Sequence, residues 1–467
     1  MNSPKVLALA GVQHERMRAH LFPGDGLEAA AILLCSRSAA PRVRLVVRDL
    51  ILVPYGDCPR READFITWPG TYLEQAIDRA EADDLTIVLI HSHPGGMFAF
   101  STQDDHSDRE VMRCLLASHG SFHCSAIMTP DGAMRARWYD VSLQPTPIDL
   151  VTVAGHDIAY WWESDALADS ATRRPMAFGH AMSAELGRLT AMIIGVSGTG
   201  SVCAEQVNRL SFGYVKHVDF DVIEHKNLNR ILNARKCDAE THRLKAEMFV
   251  EAAEGYRRGG VAQALPMSIL EREAVIAASQ CDVLFCCVDS LEARQIADLI
   301  ATTYLLPLFD VGVVIPTRDA GGVPAIGDVC GRIDYIQPGR STLRDRGVYT
   351  PESLRAEYLR NNAPNAHRNE REAGYIKGVI EEAPSVISLN MRAAAACVNE
   401  FIARAYPFRH EPNERYARTL FSLAACEEDY LPESTYQTSA YRALLGRGSV
   451  EPLLGMPFLA PLHEDVS

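Results

Sequence analysis

Two kinds of hydrophobic pattern follow each other along the chain, and they predict two different architectures. Within the first 150 residues, "RVRLVVRDLILVPYG" (42–56) and "LTIVLIHSHP" (85–94) are apolar runs of strand length. Between them, "TYLEQAIDRAEADD" (71–84) has the spacing of an amphipathic helix. This mixture of strands and helix predicts an α+β domain at the N-terminus.

From residue 183 the pattern changes to repeating strand–loop–helix units. The stretch "LTAMIIGVSGTGSVCAEQVNRLS" (189–211) has the pattern of a strand, a glycine loop and a helix. Further buried strands are predicted in "VKHVDFDVIE" (215–224), "CDVLFCCVDS" (281–290) and "YLLPLFDVGVV" (304–314). Alternating units of this kind favour a Rossmann-like, mainly parallel sheet with flanking helices.

The predicted fold class is therefore α/β, with three regions along the 467 residues. An N-terminal domain is expected at 1–150, a linker or arm at 151–182, and a C-terminal domain at 183–467. Residues 165–182 combine small residues with mixed charge, which is typical of an arm. The last hundred residues are predicted to be mostly helical, as an extension of the C-terminal domain.

The composition indicates which binding partners and which cellular compartment to expect. The net charge of −14 disfavours broad nucleic-acid binding, because phosphate recognition needs a basic surface. Twelve scattered cysteines without a C-x-x-C pair are typical of a reduced, cytoplasmic protein. No segment reaches the roughly 20 clean apolar residues of a membrane span. We therefore expect a cytoplasmic protein with neither a nucleic-acid nor a membrane partner.

The segment "HSHPGGMFAFSTQDD" (91–105) carries candidate metal ligands at a regular spacing, H-x-H-x7-S-x2-D. His91 and His93 leave a strand on one face, and Asp104 can return as a third ligand. Three N and O ligands leave one tetrahedral position open, which is the arrangement of a catalytic zinc site. Ser101 could donate a hydrogen bond to an oxyanion. The alternative is a polar loop whose histidines are satisfied by hydrogen bonds.

This segment resembles the motif of the JAMM (JAB) metalloproteases, zinc isopeptidases that cut ubiquitin-like proteins. "GDGLEAAAILLCS" (24–36) supplies the upstream glutamate of that motif, Glu28. The resemblance implies a cytidine-deaminase-like fold, zinc held by His91, His93 and Asp104, a proton relay by Glu28, and oxyanion stabilisation by Ser101. The nearby residues are interpreted as surface or packing positions: His106 and Asp108 as solvated loop residues, and Cys58 and Cys114 as packing or surface residues.

A second candidate site begins at the glycine loop "IIGVSGTGS" (193–201). Gly195, Gly198 and Gly200 follow a strand and precede a helix, where backbone N–H groups can approach phosphate. Asp219, about 20 residues on, could hold a ribose, so the loop alone is compatible with a nicotinamide dinucleotide or with ATP.

The residues after Asp219 favour ATP. Asn227 and Arg230 follow directly, and Lys245 adds a second cation, as a triphosphate and a leaving pyrophosphate require. Asp289 stands at the end of a strand, where a carboxylate can bind Mg²⁺ at the carboxyl edge of the sheet.

The order of these residues resembles the ThiF/MoeB adenylyltransferases, the family of ubiquitin-activating enzymes, over residues 183 to about 405. The resemblance implies that Asp219 holds the ribose, that Asn227, Arg230 and Lys245 contact phosphates, and that Asp289 binds the metal. It also implies a homodimer and adenylation of a C-terminal glycine carboxylate. Family dimers often supply an arginine in trans from an arm, where Arg173 and Arg174 lie; a solvated basic pair is the equal alternative.

Two features depart from that family. Thr342 and Asp345 stand where relatives have a C-x-x-C pair, so a second, structural zinc is predicted to be absent. Cys330, Cys397 and Cys426 are candidates for a thioester nucleophile by location only, and buried packing is the preferred interpretation of each. Cys286 and Cys287 fall in a core strand.

Together the two resemblances predict a bifunctional enzyme with Zn²⁺, ATP and Mg²⁺ as cofactors and a ubiquitin-like protein as its partner. One domain would process or deconjugate that protein, and the other would adenylate its C-terminal glycine for transfer, with a conjugating enzyme as a further partner. An alternative is activation and unmasking of a sulfur-carrier protein for thiocarboxylate formation. In a third interpretation the N-terminal domain is only a docking module for the ubiquitin-like fold.

Overall fold

The computed structural model describes residues 4–39, 41–165, 174–319, 321, 324–363, 386–437 and 440–461. The chain forms two compact units. The first unit contains Met1–Pro175, Thr302–Leu305 and Ala443–Ser467, and the second contains Met176–Ala301 and Leu306–Arg442. The α/β fold class predicted from the sequence is confirmed.

The first unit is built on a nine-stranded mixed sheet. Its strand order is β11-β10-β1-β3-β2-β6-β7-β8-β9, and a separate two-stranded hairpin is formed by β4 and β5. Strands β1 and β2 are buried along most of their length, because helices pack on the sheet. The strands are β1 (Val6–Ala10), β2 (Ala30–Arg37), β3 (Arg44–Leu52), β4 (Arg60–Arg61), β5 (Ile66–Thr67), β6 (Thr86–Ser92), β7 (Phe122–Met128), β8 (Met134–Asp140), β9 (Thr146–Pro147), β10 (Leu150–Ala154) and β11 (Ile158–Trp162).

The sheet of the first unit continues past residue 150, where the sequence places the domain boundary. Strand β10 pairs in parallel with β1, and β11 pairs antiparallel with β10. Ile158, Tyr160 and Trp162 on β11 are buried while their neighbours are half-buried, which is the period of two expected of a strand.

The second unit contains an eight-stranded sheet of order β14-β13-β12-β15-β16-β19-β20-β21. The first five strands in this order are mutually parallel. Each of the last three strands is antiparallel to the strand before it in this order. The strands of this unit, including the hairpin β17–β18, are β12 (Thr190–Ile194), β13 (Tyr214–Val218), β14 (Ala262–Leu265), β15 (Val283–Cys286), β16 (Leu308–Val314), β17 (Thr317–Asp319), β18 (Pro324–Ile326), β19 (Cys330–Ile336), β20 (Arg418–Ser422) and β21 (Glu427–Leu431).

Eleven α-helices lie in the part of the chain that the structure describes. In chain order they are α1 (Gly11–Leu21), α2 (Thr71–Asp83), α3 (Thr102–Ser118), α4 (His180–Leu186), α5 (Gly198–Arg209), α6 (Lys236–Glu240), α7 (Lys245–Glu254), α8 (Arg272–Ser279), α9 (Leu291–Tyr304), α10 (Pro351–Asn362) and α11 (Ile387–Ala405). None of these helices is long and apolar enough to cross a membrane.

The end of the chain differs from the mostly helical extension predicted for it. Helix α11 is present, but the described residues after it form the hairpin β20–β21 and short 3₁₀ turns. The physical reason lies in the period of the pattern, because burial alternates every second residue along β20. A run of five residues is too short to distinguish that alternation from a helical face in the sequence.

Candidate functional site

The histidine pair is positioned by the pairing of β2 with β6. Ala30 lies opposite His91 in this antiparallel register, so Glu28, just before β2, lies near the end of β6. The buried Ser92 connects these two segments of the chain, since its hydroxyl accepts a hydrogen bond from the backbone N–H of Ala29 at 2.9 Å. The sequence motif did not single out Ser92, because its role depends on the partner strand.

Glu28, His91 and His93 form a compact group of possible metal ligands. One ligand atom from each lies within 4.8 Å of the others, and the two imidazole Nε2 atoms are 3.0 Å apart. The Nδ1 atom of His93 lies 2.7 Å from the carbonyl oxygen of Met97. Since a carbonyl can only accept, Nδ1 carries the proton and Nε2 is left with a lone pair for a metal ion.

Asp104 approaches the same imidazoles from helix α3. Its carboxylate oxygens lie 3.1 Å from Nε2 of His91 and 3.5 Å from Nε2 of His93. The backbone N–H of Ser101 donates to Asp104 at 2.6 Å, and the backbone N–H of Asp104 donates to the Ser101 hydroxyl at 3.1 Å. Ser101 therefore caps α3 and orients Asp104, in addition to the oxyanion role predicted for it. The S-x-x-D spacing of a capping box carries this signal in the sequence.

The two carboxyl groups at this site, Glu28 and Asp104, differ in the direction in which their pKa is shifted. Burial raises the pKa of Glu28 to about 7, although the nearby histidines oppose the shift. Burial also disfavours the charged form of Asp104, but its close contacts with the His91 and His93 imidazoles outweigh burial and hold its pKa well below the usual range. Asp104 is thus an anion that could bind a metal ion, whereas Glu28 can take up and release a proton near neutral pH.

A cavity of about 110 Å³ lies beside these residues, with Glu28, His91 and Asp104 in its wall. Phe65 and Trp68 add apolar surface to the wall. Two imidazole nitrogens and a carboxylate that converge beside an accessible cavity are a donor set that fits Zn²⁺ with an open coordination position. The group contains all four residues that the motif predicted around the metal, together with Ser101.

The interpretation of Asp108 as a solvated loop residue is wrong. Asp108 lies on α3 and is buried, and its carboxylate accepts hydrogen bonds from Arg137 Nε at 2.9 Å, the Tyr139 hydroxyl at 3.0 Å and the Ser125 hydroxyl. The helical period places Asp108 one turn after Asp104, on the face that packs on the sheet. His106 also lies on this helix and not in a loop, and it is exposed.

The second group of candidate residues lies where the strand order of the second sheet reverses. Chain connections leave β12 towards β13 and β14 on one side and return to β15 and β16 on the other. Ligands of open α/β sheets bind at such a switch point, at the carboxyl ends of the strands. The glycine loop follows β12, and Asp289 follows β15, so both lie at this edge.

The glycines of the loop are required by backbone contacts. A Cβ atom on Gly200 would lie 1.8 Å from the carbonyl oxygen of Gly195, and Gly195 itself has a φ of +84°. Helix α5 begins at Gly198, so the N–H groups of its first turn are oriented towards the loop. A loop this close to a helix N-terminus, with no room for side chains, fits a phosphate group.

Asp219 follows the last residue of β13, and Lys245 is the first residue of α7. The Asp219 carboxylate is buried and accepts a hydrogen bond from the backbone N–H of Val196 at 2.7 Å, which fixes the glycine loop. Burial raises the pKa of Asp219, and Lys245 opposes this shift. Lys245 is buried and forms an ion pair of 2.7 Å with Asp221, the second carboxylate of the D-x-D stretch.

Arg230 lies beside the glycine loop, and Asn227 ends the 3₁₀ turn (His225–Asn227) that comes shortly before Arg230. The Cδ atom of Arg230 lies 3.3 Å from where a Cβ atom of Gly198 would be. Asn227 is buried and accepts a hydrogen bond from the backbone N–H of Glu224 at 3.0 Å through Oδ1, which leaves its amide nitrogen as a donor. Asn390 on α11, which sequence reasoning missed, contacts the loop through the Thr199 hydroxyl at 3.2 Å.

Asp289 is the exposed member of this group. Its carboxylate forms no hydrogen bond or ion pair with the residues that the structure describes. A single accessible carboxylate beside the glycine loop fits Mg²⁺, which keeps most of its coordination positions for water and phosphate oxygens. The structure thus brings Gly195, Gly198, Gly200 and Asp289 to one sheet edge, with Asp219 and Lys245 at the neighbouring strand.

The remaining predicted residues have other surroundings. Arg174 donates to the carbonyl oxygen of Ile158 at 2.6 Å, next to an ion pair with Asp157, and Arg173 lies outside the described residues. The Thr342 hydroxyl donates to Asp345 at 2.9 Å, so this pair holds its own turn.

The three cysteines proposed as thioester nucleophiles differ in environment. Partial burial and the neighbouring Asp328 raise the pKa of Cys330 to about 11, which disfavours a thiolate. Cys397 is buried; its contact with Cys203 lowers the pKa of its thiol, but burial and nearby acidic groups together outweigh this contact and the pKa is raised. Cys426 is exposed at the tip of the hairpin β20–β21.

Comparison with known proteins gives two family matches. The model described as the ThiF family matches residues 171–423, and the model described as prokaryotic homologues of the JAB domain matches residues 12–140. A search of curated proteins finds no significant match. The two matched ranges contain the two groups of residues described above.

Several solved structures are similar at low identity. Escherichia coli MccB with ATP is 14% identical, with 54% of this chain and 66% of that chain covered and a TM-score of 0.40. The microcin C7 biosynthetic enzyme MccB in complex with N-formylated MccA is 14% identical, with 54% and 67% covered and a TM-score of 0.42. PaaA is 14% identical, with 58% and 80% covered and a TM-score of 0.39. The chain spans about two thirds of the length of the MccB structures.

Proposed function

Since this chain belongs to the ThiF family and also contains a domain homologous to the prokaryotic JAB domain, we propose that it is a bifunctional enzyme acting on the C-terminal tail of a ubiquitin-like protein. One site is a zinc-dependent (iso)peptidase, and the other adenylates a C-terminal glycine carboxylate with ATP. The observation that carries the proposal is the coexistence of two complete sets of chemical groups, one around His91 and one around the glycine loop.

In the peptidase site, His91, His93 and Asp104 would hold Zn²⁺, which when bound supplies Lewis-acid chemistry at neutral pH. Glu28 lies beside both imidazoles in the cavity wall and would accept a proton at its carboxylate and return it to the leaving amine. The Ser101 hydroxyl accepts from a backbone N–H, so its own proton remains to stabilise an oxyanion.

In the adenylation site, the carboxylate of the tail attacks the α-phosphorus of ATP. A carboxylate–phosphorus bond forms and the bond to the bridging oxygen breaks, which gives an acyl-adenylate and pyrophosphate. Asp219 would hold the ribose, while the glycine loop, Asn227, Arg230 and Lys245 would bind the phosphates. Asp289 would hold Mg²⁺, which when bound neutralises phosphate charge.

The two proposed activities, adenylation and peptide cleavage, can be tested separately with one pair of variants. Purified protein is incubated with Mg²⁺, ATP and candidate ubiquitin-like proteins that end in glycine, and ATP–pyrophosphate exchange is measured. In parallel, cleavage of the same proteins carrying a C-terminal extension is followed by mass spectrometry. Asp289→Ala should abolish exchange and leave cleavage intact, and His91→Ala should do the reverse. Exchange that survives Asp289→Ala, or cleavage that survives His91→Ala, would contradict the proposal.

A further inference from the structure

The loop that carries Asp289 is short, and its backbone is held on both sides by buried charged side chains. Strand β15 ends at Cys286 and α9 begins at Leu291, so Asp289 lies within four connecting residues. The Asp289 side chain is exposed, and no described residue fixes it by a hydrogen bond or ion pair. The position of its carboxylate is therefore set by the backbone of the loop.

Before Asp289, the loop is held by Arg294. A guanidinium N–H of Arg294 donates to the carbonyl oxygen of Val288 at 2.5 Å. The same guanidinium pairs with Asp310, a fully buried carboxylate in β16 that also accepts from Arg332 at 2.7 Å. Because both partners are buried, Arg294 has little freedom to move away from the loop.

After Asp289, the loop is held by Glu357 from α10. The Glu357 carboxylate accepts hydrogen bonds from the backbone N–H of Leu291 at 2.9 Å and 3.0 Å, and from that of Glu292 at 3.0 Å. The Ser290 hydroxyl accepts from the N–H of Ala293 at 3.3 Å. A carboxylate from another helix thus satisfies the first amides of α9, where the helix dipole also favours negative charge.

We infer that Glu357 and Arg294 are positioning residues for the metal-binding carboxylate of Asp289. The inference rests on the adenylation function proposed above. It adds a role for two residues, one on α9 and one on α10, that do not contact ATP or the tail in that proposal. Removing either anchor should leave Asp289 present but imprecisely placed, which weakens metal binding before it removes the fold.

The test measures metal affinity directly. Mn²⁺ is used as a paramagnetic substitute for Mg²⁺, and its binding to the full chain in the presence of ATP is followed by electron paramagnetic resonance. Glu357→Gln keeps one accepting oxygen and should raise the Kd for Mn²⁺ by about 10-fold, and Glu357→Ala should raise it further, towards about 100-fold. Hydrogen exchange at the amides of Leu291 and Glu292 should accelerate in the same order.

Glu433 provides a matched control. Glu357 and Glu433 are 8% and 7% exposed, and both accept backbone N–H bonds and pair with an arginine. The partners of Glu433 are Ser341 and Arg346, which are not part of the Asp289 loop. Glu433→Gln should lower the melting temperature but leave the Mn²⁺ affinity and the exchange of Leu291 unchanged.

Four outcomes would overturn the inference. Wild-type Mn²⁺ affinity in both Glu357 variants would show that the anchor does not position Asp289. An equal loss of Mn²⁺ affinity in Glu433→Gln would show that the Glu357 variants act by general destabilisation. If Asp289→Ala binds Mn²⁺ in the presence of ATP as tightly as the wild type does, the proposed adenylation function itself fails. Unchanged hydrogen exchange at the amides of Leu291 and Glu292 in Glu357→Ala would show, independently of any activity, that Glu357 does not cap α9.

Discussion

The histidine site around His91 and the proposed nucleotide site around the glycine loop are assembled in different ways. In the first, the ligand atoms already lie within a few ångströms of each other, and Met97 and Ser101 hold them by hydrogen bonds. In the second, the cation Lys245 is paired with Asp221, and Asp289 is exposed. The first is preorganised for a single ion, whereas in the second the rigid part is the backbone of the glycine loop. Different substitutions should therefore disable the two sites.

A second contrast concerns two carboxyl groups whose pKa is raised to about 7, Glu28 in the first unit and Asp298 in the second. Burial is the main cause in both cases. Glu28 lines a cavity together with His91, whereas Asp298 is enclosed and accepts a hydrogen bond from the Tyr349 hydroxyl at 2.7 Å. A perturbed pKa therefore marks a functional group only where the geometry gives it access to a substrate.

The largest effect is expected from Glu28→Gln. This change keeps the shape of the side chain but removes the proton acceptor, so peptide cleavage should fall by about 10²- to 10⁴-fold. Bound zinc, measured by elemental analysis, and ATP–pyrophosphate exchange should stay at wild-type levels. Glu62→Gln is the control, because the Glu62 side chain pairs with Arg60 at the surface nearby. Cleavage at the wild-type rate in Glu28→Gln would exclude Glu28 as the proton relay.

The next largest effect is expected from Gly200→Ala, which tests the backbone of the nucleotide site. The added methyl group would overlap the carbonyl oxygen of Gly195, so the loop must move. Pyrophosphate exchange should fall by about 100-fold, which corresponds to about 3 kcal/mol, the upper part of the usual cost of overpacking. Zinc-dependent cleavage should not change.

Gly259→Ala is the matched control for that variant, because the methyl group would meet only ordinary contact with Glu254 at 3.7 Å. Its exchange activity should equal that of the wild type. Normal exchange in Gly200→Ala would show that the phosphate loop tolerates displacement and that the rigid-backbone description of this site is wrong.

Ser101→Ala should have a smaller effect, because it changes the support of a ligand and not the ligand itself. Loss of the hydroxyl removes the N-cap of α3, at a cost of about 1 kcal/mol, and loosens Asp104. Zinc affinity, measured by competition with a chelator, should fall by about 10-fold. Ser101→Thr keeps the capping hydroxyl and should restore the affinity. A zinc affinity unaffected by Ser101→Ala would mean that Asp104 is held by the histidines alone.

The part of both sites that could be predicted from the sequence is the part encoded by local spacing. His91, His93, Ser101 and Asp104 lie within one loop and one helix turn, and the structure brings them together with Glu28. The strand–loop–helix order of the second half was also sufficient to predict β12, α5, β13, β15 and β16. In these segments burial repeats with the period of the element, so the pattern alone carries the signal.

The residues that were missed act over long separations. Glu357 reaches Leu291 across 66 positions, and Thr199 reaches Asn390 across 191. Asp108 was misassigned because a charged residue in a polar stretch is usually exposed, and its partner Arg137 lies 29 positions away. Pairs of this kind are determined by strand order and helix packing, which local patterns do not encode.

The smallest effect is expected from Asp298→Asn, which tests the contrast between the two buried carboxyl groups. The pKa of Asp298 is near 4 when the chain is unfolded and about 7 when it is folded, so the folded protein binds the extra proton between these values. The contribution of Asp298 to the free energy of unfolding is therefore lost as pH rises through that range, because Asp298 ionises at a lower pH in the unfolded chain than in the folded one. The melting temperature of wild type should fall by a few °C between about pH 5 and pH 8 relative to that of Asp298→Asn.

Asp289→Asn, at an exposed position in the same unit, should keep the wild-type pH dependence and serves as the control. Cleavage and exchange activities of Asp298→Asn should match the wild type at about pH 7, since Asp298 lines neither site. A flat wild-type profile would mean that water or a rearrangement stabilises the ionised carboxylate. Loss of exchange in Asp298→Asn without a change in stability would instead give this enclosed carboxyl a part in adenylation, and the contrast with Glu28 would disappear.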